Sequence, residues 1–346
     1  MGAVQAVVNR VRKARRLFPN QARRASDAVY YRLRGSAPGT ALLKAAAFAR
    51  SPRDMQERRR LAARYNAAVR RSVMDPSKGY GLTSPDAFAG IEPVLAECRA
   101  LFERKRAEVD QHNAAVASQS ERQSSVLTEK RRFLQNLLTN DDLREHPALV
   151  DFALSDAALG LATNYLGTIP HLNRVDLLYS VPRESDSRIS SQLFHVDPEG
   201  LTQVKLFVNV FDVGDAEGPF TFIPADDSAR ILREVRALRR RLGQPHVGRY
   251  TDEEVAAVGG TSAIVSVTGP RGAGVAVDTS RCLHLGSRVQ PGAFRLCLYI
   301  QYCTSREQSN AFDVERYKGD PVRYLAVNHS AAWAGTDMTA PHQMGS

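Results

Sequence analysis

Apolar residues recur at two different periods along this chain, and the change of period near residue 170 divides it. Val4, Val7, Val8 and Val11 fall at helical i, i+3, i+4, i+7 spacing, with Arg10, Arg12, Lys13, Arg15 and Arg16 mostly on other faces. Gly35-Ser36-Ala37-Pro38-Gly39 breaks that pattern, and a second helical stretch runs from about Thr40 to Ser72. Ser84-Pro85-Asp86 resembles a helix start, after which Ile91, Val94, Leu95, Cys98, Leu101 and Phe102 recur at helix spacing. Asn140-Asp141-Asp142 caps a further helical stretch through Phe152 and Leu159.

After Tyr165-Leu166-Gly167 and the break at Pro170 the pattern shortens to strands. They are expected over residues 174–180, 190–196, 202–213, 219–223, 262–267, 274–277 and 294–303. Lys205, Phe207 and Asn209 share one face of their strand, and Val204, Leu206, Val208 and Val210 the other. A helical insertion begins near Asp227. The fold class is therefore mainly β with flanking helices, an antiparallel barrel or sandwich. The expected organisation is a basic helical arm over 1–83, a helical brace over 84–160 and a β core over 161–305 with the insertion at 227–260. A tail occupies 306–346.

The net charge of +10 is uneven. Residues 1–71 carry about 18 Lys/Arg against three acids, roughly +15. One reading is a solvated helical arm packed on the rest; another is an amphipathic segment resting on an anionic membrane surface. Nucleic acid is disfavoured, since the arm has few aromatics for stacking. Cys98, Cys282, Cys297 and Cys303 show neither a metal spacing nor a disulfide framework, which suits reduced thiols and a cytoplasmic setting. No apolar run is long enough to span a bilayer, and the first residues lack the apolar core of a secretory signal.

The candidate chemistry is His195-Val196-Asp197, with His284 far downstream and Arg295 beyond it. Residues i and i+2 of a strand project to one face, so His195 and Asp197 can serve one ion. Two imidazoles and a carboxylate form the ligand set of a non-haem iron(II) site with open positions, provided the fold brings His284 to them. Arg295 heads a largely apolar strand, and a guanidinium facing an interior needs an anion. Lys205 raises the same question. His171, beside Pro170, reads as a turn residue, and Gln192 is a candidate to approach the site.

Phe194-His195-Val196-Asp197, the strand from Lys205 to Val213, the run from Gly218 to Pro224, and Val277-Asp278-Thr279 followed by His284 and Arg295 resemble the phytanoyl-CoA dioxygenase family. The resemblance covers about residues 147–302. It implies a double-stranded β-helix (a cupin-like jelly roll) and oxidation dependent on iron(II), 2-oxoglutarate and O2. On this chain it implies His195, Asp197 and His284 as catalytic iron ligands, and Arg295 on the distal carboxylate of 2-oxoglutarate. Phe207 would flank that cosubstrate and Lys205 would make a second contact. Members often carry serine two residues past the distal histidine, where this chain has Gly286 followed by Ser287. After Pro224 they commonly read Gly-Ser-His, where Ala225-Asp226-Asp227-Ser228 stands here.

The expected function is thus a 2-oxoglutarate-dependent hydroxylase of a small organic or lipid-like substrate, releasing succinate and CO2. The rival is a non-catalytic binding or scaffold protein on the same fold, acting through its basic arm. Intact ligands with Arg295 speak for the enzyme.

Overall fold

Two antiparallel sheets carry the chain from Tyr80 to Cys303. The computed structural model describes residues 42, 52–69, 74–117, 126–183, 187–197, 202–245, 248–304 and 310–328. The strands are β1 (Tyr80–Thr83), β2 (Leu134–Asn136), β3 (His171–Ser180), β4 (Phe194–His195), β5 (Gln203–Asn209), β6 (Thr221–Phe222), β7 (Arg249–Tyr250), β8 (Val265–Ser266), β9 (Gly274–Val277), β10 (His284–Leu285) and β11 (Arg295–Cys303). The larger sheet has the order β1-β9-β5-β11-β3-β2 and the smaller one β7-β4-β10-β6-β8. From β3 onward the chain crosses repeatedly between them, so that β4, β6 and β10 of the smaller sheet intervene between β3, β5, β9 and β11 of the larger.

Alternation fixes which side of the larger sheet is which. On β5, Val204, Leu206 and Val208 join the main apolar core, as do Leu296, Leu298, Ile300 and Tyr302 of β11. Lys205, Phe207, Arg295, Tyr299 and Gln301, on the opposite parity, line an interior cavity. A register shift at Gln301/Tyr302 leaves Asn173 of β3 without a pairing partner on β11, and both Asn173 and Arg174 line the cavity. Gly274 has no alternative, because a Cβ there would lie 1.9 Å from the Phe207 carbonyl oxygen.

Helices cover the outer faces. In chain order they are α1 (Pro52–Ala68), α2 (Ile91–Ala117), α3 (Val126–Phe133), α4 (Asn140–Glu145), α5 (Pro147–Ala153), α6 (Asp156–Leu166), α7 (Ala225–Arg241), α8 (Asp252–Ala256) and α9 (Pro321–Val327). The helical stretch read after Asn140 is three helices. Thr139 is the N-cap of α4, in a capping box with Asp142, and the chain breaks before Pro147, which cannot supply a helix-interior N–H. Gly167 closes α6 in the left-handed conformation at φ 66°. On the smaller sheet, Ile231, Val235 and Val255 from α7 and α8 pack with Phe194, Tyr250 and Leu283.

Several strand expectations need correction. Residues 190–192 form a 3-10 turn, and only Phe194 and His195 of that segment pair as a strand. β1 and β2, four and three residues long, are too short to show a period in sequence. The insertion after Asp227 is not helical throughout, since β7 within it pairs with β4. Within the basic region, α1 is built into the body. Arg58 is 2% exposed and donates to the carbonyls of Ile169 (3.1 Å) and Leu325 (2.8 Å). The remainder of the arm up to residue 51, Leu42 apart, lies outside the described residues, as do residues 70–73 and the tail from residue 329. No helix among the described residues is long and apolar enough to cross a membrane.

Candidate metal centre

The smaller sheet brings two distant histidines side by side. β4 and β10 are antiparallel neighbours, and their register sets His284 directly against His195. The ring centroids are 4.3 Å apart. Asp197 lies just past β4, where its backbone N–H donates to the Thr279 carbonyl at 2.9 Å. The chain leading into β10 thus also fixes the carboxylate.

Ligand atoms of His195, Asp197 and His284 all lie within 4.8 Å of one another, and the three residues are buried. Asp197 Oδ2 is 3.2 Å from His284 Nε2, and Oδ1 is 3.6 Å from His195 Nε2. Metal–ligand bonds of about 2 Å require donor atoms no more than about 4 Å apart, so both separations suit one ion. Each ring donates from Nδ1 to a carbonyl two residues earlier: His195 to Leu193 at 2.8 Å, His284 to Cys282 at 3.0 Å. These bonds place the lone pair on Nε2, facing Asp197. Burial holds His195 well below the usual imidazole range and so neutral. Burial alone would raise the pKa of Asp197, but the Lys205 ammonium outweighs it and holds the carboxyl well below its ordinary range.

The three side chains open onto a cavity of about 440 Å³. Arg295 also lines it, 6% exposed, and its Nε has no hydrogen-bond partner. No carboxylate among the described residues lies within ion-pair distance of its guanidinium. Burial lowers its pKa from the ordinary arginine value. A buried cation without a counter-ion is costly, and a ligand anion would offset that cost. Gly286 keeps room beside it, since a Cβ there would sit 3.5 Å from Arg295 Nη2 in ordinary contact.

Lys205 and Phe207 also line the cavity, though Lys205 has a role not read from the sequence. Its Nζ donates to Asp197 Oδ2 at 2.6 Å. Phe207 stacks on Phe220 with centroids 4.3 Å apart and tilts against Tyr299 at 5.3 Å. His171 is not a turn residue. It opens β3 and is 2% exposed. Gln192 is buried, and its amide donates to the Ser287 carbonyl at 3.1 Å, bracing the loop after His284. Ser287 occupies the left-handed region at φ 61°, with its hydroxyl 3.1 Å from that of Ser180.

Polar cavity residues that escaped the sequence reading include Asn173, Asp176, Tyr299 and Gln301. Tyr299 and Gln301 were legible in principle, because they continue the parity of Arg295 along β11. Asn173 was not, because a bulge places it.

No protein-family model matches this chain, and no curated protein does. Among solved structures, EctD from S. alaskensis with 2-oxoglutarate and 5-hydroxyectoine aligns at 14% identity and TM-score 0.41, over 71% of this chain and 75% of that one. The epimerase SnoN from nogalamycin biosynthesis, in complex with Fe3+, alpha ketoglutarate and nogalamycin RO, aligns at 19% identity and TM-score 0.38 over 70% and 82%. HygX from Streptomyces hygroscopicus, with nickel and 2-oxoglutarate bound, aligns at 14% identity and TM-score 0.38 over 68% and 86%. Likenesses this distant assign nothing to the present chain, whose site stands on its own geometry.

Proposed function

We propose that this chain is an iron(II)- and 2-oxoglutarate-dependent dioxygenase that hydroxylates a small organic or lipid-like molecule, releasing succinate and carbon dioxide. One observation carries the reading. Two Nε2 atoms and one carboxylate converge in a cavity that also holds a buried, unpaired guanidinium. In the same reading, the repeated crossing between sheets is the winding of a double-stranded β-helix, and the site residues follow the phytanoyl-CoA dioxygenase pattern.

His195, Asp197 and His284 would hold the iron, which with 2-oxoglutarate and dioxygen supplies an oxidising power that side chains lack. The protein's own residues do the rest. The Leu193 and Cys282 carbonyls keep both imidazoles in the ligating tautomer. Lys205 keeps Asp197 ionised. Arg295 would clamp the distal carboxylate of 2-oxoglutarate, and Phe207, stacked on Phe220, would form an apolar wall that excludes water from that end. Four buried free cysteines suit a reducing cytoplasm. The basic arm, in this reading, meets an anionic membrane surface.

The test is anaerobic addition of Fe(II) and 2-oxoglutarate, followed by the visible charge-transfer absorption of the chelate and by succinate release in air. Both signals are expected, and His195→Ala should abolish both. Absence of the band together with absence of succinate would overturn the reading.

A further inference from the structure

The cavity has a second polar wall that the metal centre does not use. Asp176, on β3, stands opposite Tyr299 of β11, which in turn pairs with Phe207 of β5. The carboxylate is buried, 3% exposed. Its Oδ1 accepts from the Asn136 amide at 3.0 Å. The other oxygen, Oδ2, accepts no hydrogen bond: Arg174 Nη1 stands 3.6 Å away on a side chain that is 53% exposed, and the Lys205 ammonium, held by Asp197, attracts the carboxylate only from a distance. Burying a carboxylate with one oxygen so poorly served is unfavourable in the fold alone. Beside it, Asn173 is 2% exposed and its Oδ1 has no hydrogen-bond partner, while its amide nitrogen donates to Gln301 Oε1 at 2.8 Å. Both unsatisfied atoms are acceptors, and both residues line the cavity that His195, Asp197 and His284 share.

We propose that Asp176 and Asn173 form the anchoring subsite for a cationic nitrogen of the substrate, an amine carried as its ammonium. The ammonium would donate to Asp176 Oδ2 and Asn173 Oδ1, replacing the distant, half-solvated Arg174 as counter-ion. That the bound cation is a substrate rests on the oxygenase reading; that the cavity binds an ammonium does not. The wall near Arg295 takes an anion and this one takes a cation, so the metal centre would act on a molecule held by its amine.

n-Butylammonium, n-butanol and butyrate serve as probes, titrated into the full chain with a chelator present and followed by ligand-observed saturation-transfer NMR. Butylammonium is expected to bind best, and Asp176→Asn, which keeps the acceptor for Asn136, to weaken it about tenfold. Arg174→Ala removes the competing cation and should tighten butylammonium binding. Equal affinity in Asp176→Asn would overturn the proposal, as would butyrate binding in preference to butylammonium. Should Asp176→Asn fail to fold by near-UV circular dichroism, Arg174→Ala decides: tighter binding supports the subsite, unchanged or weaker binding sinks it. Because no iron or 2-oxoglutarate is added, failure here leaves the charge-transfer test untouched.

Discussion

Lys205 Nζ donates to Asp197 Oδ2 across 2.6 Å, so the carboxylate of the metal triad is shared with a buried ammonium. That ammonium keeps Asp197 ionised, yet it also repels any cation bound at the triad. Like charges this close in a protein interior oppose each other by about several kcal/mol even at an effective dielectric constant of about 20. Lys205→Met should therefore tighten zinc or cobalt binding by about tenfold or more, measured by calorimetry. Weaker binding in the variant would instead make Lys205 an orienting partner whose loss lets the carboxylate swing.

Arg295→Met separates stability from ligand binding. Removing a buried, unpaired charge should raise the melting temperature of the ligand-free protein by about 1–2 °C for each kcal/mol gained, with about 1 kcal/mol or more expected. The same change should weaken 2-oxoglutarate by about a hundredfold in the anaerobic charge-transfer titration. If 2-oxoglutarate affinity is unchanged, the guanidinium is not its partner.

Gly286→Ser tests the space beside that guanidinium. A Cβ fits there in ordinary contact with Arg295 and Phe220. Stability should hold to within about 0.5 kcal/mol. The added hydroxyl should strengthen 2-oxoglutarate binding several-fold, read by the same titration.

Acid stability should depend on Asp252. Burial raises its carboxyl, but the bonds from Arg288 and Arg188 outweigh this and hold it below the ordinary carboxylate range. A depressed folded-state pKa adds stability that is fully present above the unfolded value and is lost as pH falls through the folded one. Asp252→Asn should accordingly lower stability at neutral pH and flatten its fall below about pH 4, followed by urea denaturation across pH.

Arg58 and the arm before it should behave differently. Arg58→Met leaves the Ile169 and Leu325 carbonyls without their buried donor and should destabilise the fold by about 2–4 kcal/mol. Deleting residues 1–51 should leave the melting temperature nearly unchanged but reduce binding to phosphatidylserine vesicles, with added salt reproducing the loss in the intact chain. Absence of vesicle binding in the intact chain would remove the membrane reading.

The parts of this molecule legible in its sequence are those set by parity. Alternation along 204–210 correctly sorted Lys205 and Phe207 from Val204, Leu206 and Val208, because a strand offers its residues only two faces. The convergence of His195 with His284 was not legible. It depends on pairing between two-residue strands, too short to carry any period, separated by 88 positions of chain. Lys205 was placed on the right face, but its partner was not, since two charges eight residues apart meet only once β4 and β5 have taken their places in different sheets. Asp176 lay inside a strand that was read, yet nothing in the one-dimensional pattern shows which interior a buried acid faces.

The histidines donate their Nδ1–H to main-chain carbonyls, those of Leu193 and Cys282. Every residue type supplies that atom, so Leu193 and Cys282 can be exchanged without losing the ring orientation, provided the backbone path holds. The centre is thereby insulated from substitution in its own surroundings. Its tautomers are inherited from chain geometry.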